Sequence, residues 1–89
     1  MEVHTEKIAV RLRQMLEQFI SGQYDPLDFS YDFPDDLCNV FDELEKEDPR
    51  IAEILDDNIP EICAEYERGM DPQPFIDAVR KEYERAFPS

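Results

Sequence analysis

The stretch LRQMLEQFISGQYDPLDF, residues 12–29, decides the fold. Leu12, Met15, Leu16, Phe19 and Ile20 recur at three- and four-residue steps, and Ile8 extends the series backwards. That period puts the apolar side chains on one face of a helix. Gly22 then stops it, because glycine enters the left-handed conformation without a steric penalty. Asp25-Pro26 opens the next element: the Asp carboxylate accepts from orphan N–H groups, and Pro at the first helical position forfeits no bond. The spacing predicts a first helix from about Thr5, its cap, to Ser21.

The same device returns at Asp48-Pro49 and Asp71-Pro72. The equal spacing suggests a repeat, but the residues between the pairs do not align, so repeated capping explains it. The stretch 25–33 reads either as a short helix or as an irregular aromatic segment holding Leu27, Phe29, Tyr31 and Phe33. A helix is expected from Pro34, with Leu37, Val40, Phe41 and Leu44 as its stripe. Another follows Asp48-Pro49 with Ile51, Ile54 and Leu55. Pro60 breaks or restarts it, since proline clashes with the preceding turn. A further stretch carries Ile62, Cys63 and Tyr66 to Gly69. The last helix buries Phe75, Ile76, Val79, Tyr83 and Phe87 and ends at Pro88. Strand-like alternation is absent. The expectation is an all-α chain, a compact bundle of four to five short helices forming a single helical domain over 1–89.

Composition agrees. The 89 residues are 42% hydrophobic and 11% aromatic, enough for a core and unlike a disordered acidic tail. A chain this short buries only about two-thirds of its unfolded surface, so every apolar face is needed. Cys38 and Cys63 each fall in an apolar helical position and are expected to be reduced and buried, in a reducing compartment. The N-terminal residues show no apolar leader core, and no run approaches membrane-spanning length, so a cytoplasmic location without membrane attachment is expected.

The net charge of -14 repels phosphate and anionic lipid, which argues against direct nucleic-acid or membrane partners. It suits a basic protein, although solubility alone also favours acidity. The distribution is uneven. Residues 1–24 and 68–89 are each neutral, and residues 25–67 hold sixteen acids against Lys46 and Arg50, which is the whole net charge. Asp35, Asp36 and Glu61 are expected in first turns, where the helix dipole favours acids by roughly 0.3–1 kcal/mol each. Asp42, Glu43, Glu45 and Glu47 stand toward a helix C-terminus, where the dipole disfavours them, and are the better interface candidates. Tyr24 and Tyr31, beside Asp28 and Asp32, read equally as core rings or as rings receiving Arg and Lys. Phe29 and Phe33 read as core.

Catalytic constellations are missing. His4 is the lone histidine, which leaves no Ser-His-Asp or Cys-His pairing. There is no zinc-type cysteine spacing, no calcium loop and no glycine-rich phosphate loop. Asp35-Asp36 and Asp56-Asp57 are carboxylate pairs, but adjacent helical residues diverge by about 100°. Neither enzymatic activity nor a metal or other cofactor is expected.

In layout, residues 12–29 and the closing stretch CAEYERGMDPQPFIDAVRKEYERAF, 63–87, resemble the small acidic helical immunity proteins of bacteria, of the colicin D and contact-dependent growth inhibition types. The likeness covers about half the chain. The fixed motif of DNase-colicin immunity proteins is not present. The resemblance implies binding to a cognate toxin, a nuclease, by covering its basic cleft with acids. On this reading Asp28, Tyr31, Asp32, Asp35, Asp36, Asp42, Glu43, Asp56 and Asp57 meet the toxin, and a monomer is preferred. Two other classes stay open. One is a nucleic-acid mimic that blocks a DNA-binding protein, with charges spaced along an elongated surface. The other is a helical adaptor or assembly subunit, with an exposed apolar face around Met70 and Phe75.

Overall fold

The computed structural model describes residues 7–88, so Thr5 and His4 lie outside the described residues. Five helices follow in order: α1 Ile8–Ile20, α2 Pro26–Glu47, α3 Pro49–Asp57, α4 Ile59–Glu65 and α5 Pro72–Ala86. No strand occurs among the described residues. The chain is an all-α bundle.

The punctuation works as the sequence indicates. Asp25, Asp48 and Asp71 each accept a first-turn N–H, from Asp28, Ile51 and Gln73, at 3.1–3.2 Å. The proline after each Asp stands at the helix start. Gly22, at φ +87, closes α1. Its N–H bonds to the Phe19 carbonyl, and that of Gln23 bonds to the Gln18 carbonyl. This is the two-bond glycine cap that satisfies the last carbonyls. Asn58 separates α3 from α4, with Pro60 in the first turn of α4.

α1 opens at Ile8 rather than at about Thr5, because Lys7 is its N-cap in extended backbone (φ -64, ψ 144), and two further boundaries differ from the sequence reading. No helix begins at Pro34; α2 runs through it for 22 residues. Pro34 brings no N–H for the Ser30 carbonyl, and an interior proline costs about 3 kcal/mol. Phe29, Phe33 and Leu37 flank it and are all buried. Burying such side chains contributes about 1.5–3 kcal/mol each, so packing outweighs the proline. At the other boundary, α4 ends at Glu65 rather than near Gly69, because Tyr66 turns extended (φ -83, ψ 131). Gly69, at φ +93, serves a turn closed by the Met70 N–H on the Glu67 carbonyl at 3.1 Å.

α2 packs against every other helix, and α5 also closes on α1, α3 and α4. Leu12, Leu16, Phe19, Phe29, Phe33, Leu37, Leu44, Leu55, Ile59 and Val79 form the fully buried centre. Phe19 stacks on Phe29 at 4.1 Å between ring centroids, Phe29 on Phe33 at 5.1 Å, and Phe75 lies 4.8 Å from Phe19. These aromatic contacts join α1, α2 and α5 at one end of the core.

The cysteines divide. Both are free thiols, but only Cys63 is buried; Cys38 is exposed. The core stripe of α2 passes through Leu37, and one residue further the helix has turned by about 100° toward solvent. The expectation of a buried Cys38 is therefore corrected.

Candidate functional site

The acidic centre becomes a single face because α2 is continuous. With Phe29, Phe33, Leu37 and Leu44 facing the core, a period of 3.6 residues turns Asp28, Tyr31, Asp32, Asp35, Asp36, Asp42 and Glu43 outward together. All are exposed except Asp36, which is half-buried. At about 1.5 Å per residue, Asp28, Asp35 and Asp42 mark a line roughly 21 Å long.

Continuity also moves two acids out of the dipole's reach. Asp35 and Asp36 sit in the middle of α2, and Asp28 is the acid in its first turn. The dipole acts mainly within the terminal turns, so it does not account for Asp35 and Asp36.

At the N-terminal end of the face, the Tyr24 hydroxyl donates to Asp32 Oδ2 at 2.6 Å. The Tyr24 ring lies edge-on to Phe29 at 5.6 Å. Burial of the phenol, then the bond to Asp32, then the charges of Asp32, Asp36 and Asp28 push the Tyr24 pKa up to about 12. Tyr24 thus packs its ring against the core and bonds an acid of the face through its hydroxyl. Tyr31 is 69% exposed and contributes no core contact.

Asp56 and Asp57 are exposed at the end of α3 and belong to a different element from the α2 face. No hydrogen bond or ion pair joins them to it among the described residues.

Glu47 has a different task from the one its position suggested. Its carboxylate accepts the Ile8 N–H at 3.1 Å and the Ala9 N–H at 3.0 Å, and so caps α1 from the end of α2. Lys7, at the local N-cap position, provides no side-chain cap. An acid that the α2 dipole disfavours is thereby placed on the favourable end of α1. Arg50 does the converse, donating to the Arg85 and Ala86 carbonyls at the end of α5, at 2.7 and 3.2 Å. Neither long-range cap has a local sequence signal.

Every ion pair among the described residues lies within α1 or α5: Arg13–Glu17, Arg80–Asp77 and Arg85–Glu82. Glu17 also accepts the Tyr83 hydroxyl at 2.6 Å, which, ahead of Arg13, draws its carboxyl below the ordinary range. The acids of α2 have no cation within ion-pair distance among the described residues.

A second surface feature lies between α4 and α5. An open cavity of about 350 Å³ is lined by Ile62, Tyr66, Met70, Pro74, Phe75 and Ala78, with Glu65 and Asp71 at its edge. Sequence reading reached Met70 and Phe75; Ile62, Pro74 and Ala78 join them only through the packing of α4 on α5.

Among the described residues no three His, Cys, Asp or Glu side chains converge as a metal-holding group, and no helix is long and apolar enough to cross a membrane. Comparison with known protein families, with characterised proteins and with solved structures gave no match to this chain.

Proposed function

We propose that this chain is a binding protein without catalytic turnover, an immunity protein whose α2 face covers the basic cleft of a nuclease toxin. One observation carries the reading. Asp28, Asp32, Asp35, Asp36, Asp42 and Glu43 share one face of a single helix, while the ion pairs of the described residues are confined to α1 and α5. A nuclease must hold phosphates with Lys and Arg, and the same cations suit a row of carboxylates. Opposite potentials also speed encounter, which matters for an inhibitor that must reach its target first.

The linear spacing of the acids also favours a second reading, a nucleic-acid mimic that occupies a DNA-binding protein. Both targets offer a cation-lined groove, so the identity of the bound protein separates them.

The test is binding of Asp35→Lys/Asp42→Lys to the product of the neighbouring gene, at low and high salt. Association should slow by about tenfold or more and lose much of its salt dependence. Arg11→Glu and Arg80→Glu should change little. Unchanged rates in the α2 variant, with binding lost in Arg11→Glu or Arg80→Glu, would place the interface elsewhere.

A further inference from the structure

The furrow between α4 and α5 is a second surface feature of the bundle. Ile62, Glu65 and Ala78 line both the apolar cavity and a neighbouring one of about 290 Å³, so the two form one trough. Its character changes along its length. One end is apolar, with Ile62, Tyr66, Met70, Pro74 and Phe75. The other is polar, with Asn58, Glu61, Lys81 and Glu82.

The apolar end is built rather than incidental. The Tyr66 ring stacks on Phe75 at 4.7 Å, which ties the α4–α5 connection to the core. The Tyr66 hydroxyl donates to the Met70 carbonyl at 3.4 Å, and the Glu67 N–H donates to Met70 Sδ at 3.2 Å. Gly69 makes the turn that brings Met70 back over the furrow. Met70 is held in place and yet is 50% exposed. Methionine at such a rim adapts its unbranched side chain to different apolar occupants.

Charge narrows the choice of occupant. Glu61, Glu65 and Asp71 edge the trough; Lys81 is its single lining cation, and the remaining acid, Glu82, is paired with Arg85. A second copy of this chain would bring a further net charge of -14 against that edge. We infer that the trough receives a basic amphipathic helix of a partner protein, with a large apolar side chain between Met70 and Ala78 and Lys or Arg side chains against Glu61, Glu65 and Asp71. Helix-in-groove recognition reads anchors at i, i+3, i+4 and i+7 in this way. The inference rests on the reading of the partner as basic and adds an apolar contact on different helices.

The experiment uses isotopically labelled full-length protein and a synthetic lysine–leucine helix with leucines at i, i+3, i+4 and i+7. Amide shifts on titration should centre on Ile62, Tyr66, Met70 and Ala78, and part of the affinity should survive high salt. Replacing the peptide leucines by alanine should abolish that part. Met70→Ser should weaken high-salt binding by about tenfold, the loss expected of one anchor contact. Because Met70 also braces the turn, Ala78→Gln on regular α5 backbone should give a similar loss. Asp35→Asn/Asp42→Asn should lower only the salt-sensitive part. Shifts confined to α2, equal binding of the alanine peptide, or a concentration-dependent dimer that Met70→Ser disperses would each overturn the assignment. An α2 face that fails against the neighbouring gene product would leave the peptide result intact, so the two failures are distinguishable.

Discussion

Replacing Glu47 by alanine removes the only side-chain cap that the N-terminus of α1 has among the described residues. The carboxylate bonds two first-turn amides, one per oxygen, at 3.1 and 3.0 Å. Loss of a capping side chain costs about 0.5–2 kcal/mol. Two bonds from an ionised acceptor place this case in the upper half, and solvent exposure brings it back, so about 1–1.5 kcal/mol is expected. With a urea slope of about 1–2 kcal/mol/M, the midpoint should fall by roughly 0.5–1.5 M. Glu47→Gln retains one acceptor and should lie between wild type and alanine. Glu45→Ala, an exposed neighbour with no partner among the described residues, should stay within about 0.5 kcal/mol of wild type. Amide exchange at Ile8 and Ala9 should accelerate in Glu47→Ala ahead of global unfolding. The cross-helix cap is refuted if Glu47→Ala and Glu45→Ala are equally stable, or if those two amides exchange at the wild-type rate.

Two further outcomes follow from the buried groups. A thiol reagent should label Cys38 rapidly in the native protein and Cys63 only in denaturant, because Cys63 is enclosed and burial pushes its thiol up to about 12; equal labelling rates would contradict the packing. Tyr24 ionises near 10.0 when unfolded and near 12 when folded, so its contribution is whole below pH 10 and is lost as pH rises toward 12. Tyr24→Phe should flatten that alkaline decline in stability, read by urea unfolding across the same range; an unchanged decline would mean another group titrates there.

The sequence carried most of the fold because its signals are local. Each Asp-Pro pair satisfies amides within three residues of itself, and Gly22 closes α1 on carbonyls just behind it, so no tertiary knowledge is needed. Pro34 misleads for the opposite reason. Its effect depends on the burial of Phe29, Phe33 and Leu37 on either side, which is settled by the other helices. Cys38 failed on a finer scale, since one step along a helix separates the core from solvent. The acidic candidates on α2 were legible as a cluster in sequence, but their union into one face depended on the helix crossing Pro34. Glu47 and Arg50 could not be assigned from sequence at all: their partners lie 35–39 residues away and are backbone groups, which carry no residue-type signal.

The acids of α2 also repel one another. Asp28–Asp32, Asp32–Asp36 and Glu43–Glu47 are like-charged at i,i+4, and Asp32–Asp35 and Asp42–Glu45 at i,i+3. Such pairs destabilise a helix by about 0.2–0.5 kcal/mol each. Against them α2 sets only Lys46, spaced favourably from Asp42 and Glu43. Three of the charges have identifiable internal uses: Asp25 caps α2, Glu47 caps α1, and Asp32 accepts from Tyr24. The side chains of Asp35, Asp36, Asp42 and Glu43 make no internal hydrogen bond or ion pair among the described residues, yet they maintain the repulsion. A helix with so much buried aromatic surface tolerates this cost. A partner that brings cations to the face would remove it, so the free-energy gain on binding would include relief of repulsion within α2 as well as the new contacts. Neutralising Asp35 and Asp36, whose charged neighbour at helical spacing is Asp32 and which lie out of reach of Lys46, should therefore stabilise the free protein while weakening its complex. A merely solubilising charge would not tie those two effects together, and the pairing of opposite signs in one variant distinguishes an interface from a solvated surface.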